Sequence, residues 1–531
     1  MKKKKYSWEQ TREFYINWLS KTKLRYIFSK KFHYENLSLW WISKLIEKDN
    51  VNETEWFIKL HNVFCGKKVD IKKSNFLYFF LVIRLIKKFT TKIIFTTLIK
   101  ILFKEKNKNI NTEKDCFYSL FSNLVEFKNY TIDRQYGTYS LKKRNQIYFI
   151  DQEENLRLFY DYFKIKKKLN NIPFGYYLLN HHISIYEIIH VYYFTLKKLI
   201  SLFRELKSKN YFYINKKNVE NILREKLILS FFGSIQDQLL KGIALRNCLK
   251  KNNYINFINC FDFHPQSRAL YYFAKTSGVK NVITINHANY SENNIFFNFT
   301  RSDFSKKKLI DPFFSPQPDI YLCQGVKYSN ILRKILKNTK IFIIGSLKIE
   351  LNKSKITTKK KSNKKFSNSK KTLMILCSLN DYKPFIKLLN QCNLSNFKIV
   401  VAPHPYKKKL TLNDFKKNFN KQFISDQNWG KSKLIKNCDY IIFGDTSLGL
   451  ELSILGYNVF RVYDEEFIPT FDLDKEVPTA TNQKMIENFL RKKSISQKSS
   501  FIERNYFYKY DKMGSDRFEK LLRNFNSKVK N

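Results

Sequence analysis

Glycine and proline are scarce in this chain, 13 and 10 of 531 residues. Acidic residues are also few: 45, against 98 lysines and arginines, for a formal net charge of +53. Taken alone, that charge points to nucleic acid or to an anionic membrane surface. The shortage of Gly and Pro, however, goes with an excess of Lys, Asn, Ile and Phe. That is the bias of an AT-rich coding sequence, so the charge is a weak guide to function. No RNA-binding fingerprint and no Cys/His finger spacing occurs, and no nucleic-acid partner is expected. The eight cysteines are scattered without a CxxC pair. This excludes a zinc framework or a disulfide scaffold and suggests reduced, intracellular thiols. Long apolar runs are missing too. The basic start, MKKKKYSWEQTREFYINWL, lacks an uninterrupted apolar h-region. In the most apolar segment the uncharged stretch Asn75 to Ile83 falls well short of the about 20 residues that span a bilayer. A cytoplasmic protein is expected.

What is present is globular: 43% hydrophobic and 27% charged residues, in a chain long enough for two or three domains. Residues 1–240 show helical periodicity and include the pair Trp40-Trp41, which suits core packing. Within them, residues 76–104 form an amphipathic segment. Arg84, Lys88, Lys92 and Lys100 recur at multiples of four, so one helix face is basic and most of the rest is Phe, Leu and Ile. That pattern fits a helix lying in a membrane interface with its cations toward anionic headgroups. It also fits a core helix with a solvated lysine edge.

From about 254 the periodicity changes. Short apolar runs at 253–261, 279–289, 318–325 and 339–346 alternate with helical patterns at 265–278 and about 326–336. This predicts a parallel, doubly wound sheet over 241–353. Residues 354–371 are lysine-rich with two large apolar residues, Ile356 and Phe366; they read as a linker. The βα alternation restarts over 372–495, and 496–531 suggests closing helices. The fold class expected is therefore α/β, with two Rossmann-type doubly wound domains facing a cleft and a largely helical N-terminal region.

Ligands in such sheets lie beyond the carboxyl ends of the strands. His404 and Pro405 close the run KIVVAPHP, where a histidine can donate to a phosphate oxygen. In CDYIIFGDTSLGLELSILG an apolar strand breaks at Gly444-Asp445 and a helix begins near Ser447. The amides of Thr446, Ser447, Leu448 and Gly449, with two hydroxyls, would make an anion site. Gly449 would allow close approach of a phosphate, and Glu451 would cap the helix or bind a ribose diol. An ordinary N-cap is the plainer alternative. Asp262 follows the 253–261 strand and could act as a general base, with Arg268 nearby and His287 ending the next strand.

The order VVAPHP then CDYIIFGDTSLGLELSILGYNVF resembles the C-terminal domain of GT-B glycosyltransferases of bacterial surface polysaccharides, sialyl- and Kdo-type enzymes among them. LWWISKLIEKDN, IDRQYG, FDFHPQSRALYYFAKTSGVKNVITINHAN and SPQPDIYLCQGVKYSNIL are similar to the bacterial surface carbohydrate biosynthesis protein family. The resemblance implies a GT-B-like fold and transfer of a sugar from a nucleotide donor to a capsule or lipopolysaccharide glycan. His404, Pro405, Thr446, Ser447, Gly449 and Glu451 would hold the donor. Asp262, or Asp133 in IDRQYG, would deprotonate an acceptor hydroxyl. Family neighbours suggest a CMP-linked acidic sugar, with a UDP-sugar or CDP-alcohol still open. Without a DxD-type cluster no metal or other cofactor is expected. The partners implied are a lipid-linked or polysaccharide acceptor and the inner membrane surface. A non-catalytic, membrane-associated assembly protein that has kept the fold is the alternative.

Overall fold

The computed structural model describes the chain except residues 1–5, 47–54, 68, 70–75, 107–113, 143–145, 153–161, 209, 262–263, 287–298, 306–309, 337, 349–369, 378–381, 405–407, 427–434, 436, 445, 464–475, 493, 496–498, 510, 512 and 528–531. The linker expected at 354–371 therefore lies, up to 369, outside the described residues.

The N-terminal region opens with helices α1 (Trp8–Lys21), α2 (Lys23–Lys31), α3 (Glu55–Phe64) and α4 (Phe76–Leu102). Strands β1 (Lys114–Leu120), β2 (Ile147–Asp151) and β3 (Gly175–Leu178) follow, with α5 (Tyr162–Asn170) between the last two. Then come helices α6 (Ile185–Ser208), α7 (Glu220–Leu229) and α8 (Ile235–Leu249). The alternation predicted from about 254 is present: β4 (Tyr254–Asn259), α9 (Pro265–Thr276), β5 (Asn281–Ile285), β6 (Ile320–Cys323), α10 (Val326–Ile335) and β7 (Lys340–Ile343). These strands form one parallel seven-stranded sheet in the order β7-β6-β5-β4-β1-β2-β3. The N-terminal region is thus largely helical, as expected, but it also supplies three of this sheet's strands.

The second sheet contains β8 (Lys371–Leu376), β9 (Phe397–Ala402), β10 (Phe423–Ser425), β11 (Tyr440–Phe443), β12 (Val459–Val462) and β13 (Thr479–Ala480). It too is parallel, in the order β10-β9-β8-β11-β12-β13. Its helices are α11 (Tyr382–Gln391), α12 (Lys408–Asn418), α13 (Ser447–Ile454) and α14 (Gln483–Arg491). Both sheets wind outward in two directions from a central pair, which makes each of them Rossmann-like and the whole GT-B-like. The crevice of a doubly wound sheet lies where that winding reverses: at β1 and β4 in the first sheet, at β8 and β11 in the second.

The end of the chain joins the two units. Ile502, Tyr506 and Phe507 pack in the same apolar cluster as Phe443 and Leu448 of the second sheet. Gly325, just past β6, lies so close to this segment that a Cβ there would stand 2.1 Å from the Asn505 carbonyl oxygen. The carboxyl ends of strands from both sheets therefore meet one segment. Helix α15 (Gly514–Ser527) then packs Phe518 and Leu522 into the first sheet's core.

A buried charge cluster fixes the N-terminal helices to the first unit. Arg25 of α2 donates to Asp303 at 2.5 Å, to Ser20 O at 2.9 Å and to Phe313 O at 3.1 Å. It also lies over the rings of Trp41 and Phe313. Burial lowers the Arg25 guanidinium and raises the Asp303 carboxyl, and their mutual attraction offsets only part of this. Trp40 and Trp41 are core residues, as expected.

Helix α4 forms where the amphipathic segment was predicted, but most of its cations are tied to the protein. Lys92 is buried, Lys88 runs across Gly233 of the α7–α8 junction, and Lys100 Nζ donates to Ile183 O at 2.7 Å. Among the described residues, Arg84 is exposed and makes no such contact, unlike the other three. Lys92 and Lys100 meet polar groups of the fold, the Asp151 carboxylate and the Ile183 carbonyl, while the opposite face carries exposed Ile83, Ile86, Ile94 and Ile101.

Gly325→Ala should lower the melting temperature, by about 1–3 kcal/mol of stability, because the carbonyl of Asn505 must give way. An unchanged melting temperature would show that the 502–507 segment does not dock there.

Candidate functional site

Register sets the geometry of the second sheet's open edge. Leu376 at the end of β8 pairs with Ala402 of β9 on one side and Phe443 of β11 on the other. The three strands therefore stop level. His404 follows Ala402 by two residues and Thr446 follows Phe443 by three. The two positions flank the end of β8 across roughly 10 Å, two strand spacings. His404 is half-buried, as are Ser447 and Glu451, and Thr446 is buried.

Thr446 is the N-cap of α13. Its extended backbone turns the side chain back, and Oγ1 accepts from Leu448 N at 3.3 Å. Gly449 N donates to Thr446 O at 3.2 Å. Of the four amides that the sequence offered to an anion, two are thus engaged within the turn. Ser447 occupies the first helical position, where an amide has no intrahelical acceptor. The helix stops at Gly456, whose φ of 83° suits a glycine after the last turn.

Gly449 has a packing role that sequence reasoning missed. A Cβ there would fall 2.2 Å from the Phe443 ring, so the glycine lets α13 lie directly on its own preceding strand. Arg461 was also missed. It sits on β12 opposite Phe443, is buried, and its Nε donates to Gly444 O at 3.2 Å. A guanidinium thus stands behind the corner where the strand ends. The signal was a lone arginine within the apolar run VFRV.

In the first sheet, Asp262 and His287 lie outside the described residues, as does Pro405 in the second. The chain just before Asp262 makes a hydrogen-bonded turn. Phe261 N donates to Asn259 Oδ1 at 2.9 Å, and Phe261 O accepts from Ser267 Oγ at 2.6 Å. That turn closes β4, at the reversal point of the first sheet.

Asp133 and Arg268 are both buried, Asp133 beside Ser119 near the carboxyl end of β1. Asp133 is fully buried and holds its own turn: Ser119 Oγ donates to one carboxylate oxygen and Gln135 N to the other at 2.6 Å. Burial pushes its carboxyl up to about 6, against these hydrogen bonds. Arg268 is also fully buried, donating to Trp41 O at 2.8 Å beneath the Phe299 ring. Burial lowers its guanidinium to about 9. Trp41 belongs to the N-terminal helical layer and Phe299 to the first unit, so this side chain ties one to the other.

A second acidic group at this edge was not foreseen. Asp151 ends β2, accepts from Tyr118 Oη at 2.7 Å and pairs with Lys241 at 2.9 Å. Lys241 also pairs with Asp237 at 3.1 Å. Burial alone would raise the Asp151 carboxyl, but Lys241, with help from Tyr118 and Lys92, holds it below the usual range. The inward face of α4 therefore contributes Lys92 to this cluster. An acid closing an apolar run, IYFID, was the available signal.

The raised Asp133 pKa has a definite consequence. Its folded value, about 6, lies above the ordinary 3.8, so the native state binds the proton more tightly than the unfolded chain. The associated stability is fully present below pH 3.8 and lost as pH rises through 6. Relative to Asp133→Asn, the wild type should gain on the order of 2–3 kcal/mol between pH 7 and pH 4. Parallel melting curves of the two proteins across that range would contradict the assignment.

No family model and no curated protein matches the chain. Among solved structures it is similar to UDP-GlcNAc 2-epimerase from Neisseria meningitidis bound to UDP-GlcNAc (12% identity; 78% of this chain and 100% of that one; TM-score 0.40). It is also similar to the wall teichoic acid polymerase TagF (10%; 86% and 100%; 0.37) and to the calicheamicin glycosyltransferase CalG4 (10%; 78% and 99%; 0.43). At such identities and scores the likeness says nothing about activity, and the description of both sheets rests on their strand registers.

Proposed function

We propose that the protein is a glycosyltransferase that moves a sugar from a nucleotide donor onto a bacterial surface polysaccharide or lipopolysaccharide, without a metal. The observation that supports it most is the level ending of β9, β8 and β11, which sets His404 and the Thr446–Ser447 turn on either side of the second sheet's reversal point. An anion placed there meets the start of α13 and its dipole. His404 donates to the same phosphate and stabilises it as charge develops on departure. Glu451, one turn along α13, takes the ribose hydroxyls. A CMP-linked acidic sugar, as in sialyl- and Kdo-type transferases, is the donor class favoured by the motif resemblance. The acceptor is lipid-linked or polysaccharide, met at the inner face of the cytoplasmic membrane.

Asp262 is the base in this scheme. It follows the strand that forms the first sheet's reversal point, whereas Asp133 is sealed in its turn with both oxygens occupied. The acceptor hydroxyl loses its proton to Asp262, its oxygen attacks the anomeric carbon, and the bond to the nucleotide phosphate breaks.

Calorimetric titration with CMP, CDP, UDP and GDP tests the donor site. At least one should bind the wild type, and Ser447→Ala should bind it about tenfold more weakly. Because Thr446 carries the cap, Ser447→Ala should leave the melting temperature unchanged; adding Thr446→Ala should cost about 1 kcal/mol of stability. Equal nucleotide affinity in wild type and Ser447→Ala would overturn the site. Asp262→Asn should keep nucleotide affinity and lose roughly 10²-fold in turnover; turnover within a few-fold of wild type would remove Asp262 from the reaction.

A further inference from the structure

Helices α4 and α6 pack side by side and antiparallel. Phe89 meets Tyr192 with ring centroids 5.0 Å apart, and Lys100 near the end of α4 reaches Ile183 just before α6. Both helices lie on the α7–α8 junction: Lys88 crosses Gly233, and Gln236 Nε2 donates to Thr195 Oγ1 at 2.9 Å. Their remaining faces therefore point the same way. On α4 that face carries Ile83, Ile86, Ile94 and Ile101, the last 71% exposed. On α6 it carries Tyr186, Ile189, Tyr193, Leu196 and Ile200, with Tyr186 75% exposed. Contiguous exposed apolar surface of this kind marks an interaction site.

The charges on this surface are of one sign. Arg84 and Lys87 on α4, and Lys197, Arg204 and Lys207 on α6, are exposed. Helix α4 contains no acidic residue. The two acids of α6 are used within the protein: Glu187 accepts from Ser184 and Asn247, and Glu205 pairs with Lys31 and accepts from Tyr211. The surface is thus apolar with a cationic border and about 40 Å long at 1.5 Å per residue of α4. No described helix is long and apolar enough to cross a membrane.

We propose that the joint outer face of α4 and α6 lies on an anionic lipid surface, isoleucines and tyrosines entering the interface and the bordering cations meeting headgroups. A second copy of the chain is the poorer occupant, because a two-fold contact would set cations against cations with no acid to receive them. This binding differs from the arrangement expected from the Lys88–Lys92–Lys100 stripe, which is engaged within the fold. It does not depend on the transfer reaction. It orients the protein with α4 between lipid on its outer side and, through Lys92, the Asp151 cluster on its inner side.

Co-sedimentation of the full chain with phosphatidylcholine vesicles, with and without phosphatidylglycerol, tests this. The wild type should pellet with the mixed vesicles and stay partly bound at high salt, since apolar burial is not screened. Ile86→Asp with Tyr193→Asp should weaken binding about tenfold or more, with unchanged melting temperature and nucleotide affinity. The milder pair Ile86→Ser and Tyr193→Ser should shift binding in the same direction. Wild-type sedimentation of either pair would overturn the proposal. So would a vesicle-free dimer of the wild type that the substitutions dissociate, because the face would then be an interface between copies.

Discussion

Every strand in each of the two large sheets runs in one direction, and the rest of the molecule follows from that constraint. A parallel strand cannot return by a hairpin, so each connection climbs over a face as a helix or long crossover. All the carboxyl ends in a sheet then emerge at one edge, where chain reversal leaves amides, hydroxyls and charged side chains unpaired by the ladder. In the second sheet the register brings Ala402, Leu376 and Phe443 level. In the first, the same edge collects Asp151, Tyr118 and the turn after Asn259. The segment Ile502–Phe507 touches both edges, so the polar ends of the two units are held toward each other.

The parts of this that were legible in the sequence share one property. Strands β5 to β7, β9 and β11 are rich in β-branched and aliphatic residues and meet Gly, Pro, Asn or His within two residues of their ends, and their alternation with helical patterns made the doubly wound arrangement readable. Strands β1 to β3 are aromatic instead: CFYSL, IYFI and GYYL. Phe117, Tyr136 and Tyr148 pack ring against ring there. Set among longer helical patterns, with no alternation of polar residues to mark them, these three strands passed for part of a helical region. The position of the Thr446–Ser447 corner was legible because an apolar run that breaks abruptly into Gly-Asp-Thr-Ser leaves the strand and caps a helix within four residues. The reason for Gly449 was not, since it depends on Phe443 lying beneath it in space.

Helix α4 shows why periodicity alone does not give direction. Cations at every fourth residue define a face without saying what that face meets. Lys92 turns inward because buried Asp151 is there to receive its field, and Lys88 because Gly233 leaves it a path. The isoleucines are left outside. A lysine can reach a distant partner along its flexible stem, whereas an isoleucine stays where its backbone puts it. The exposed apolar face is thus the remainder after the cations have found partners. Arg25, Asp303 and Arg268 repeat the theme at the other end of the N-terminal region, where charge is buried to fix one layer on another.

The central claim is that a nucleotide sits over the end of β8, between His404 and the start of α13. Hydrogen–deuterium exchange with and without CMP, CDP or UDP measures this directly. Slowed exchange at residues 402–404 and 444–451 together, on adding one of these nucleotides, is the result the account predicts. Slowed exchange confined to the first sheet, or none with any nucleotide at saturating concentration, would contradict it.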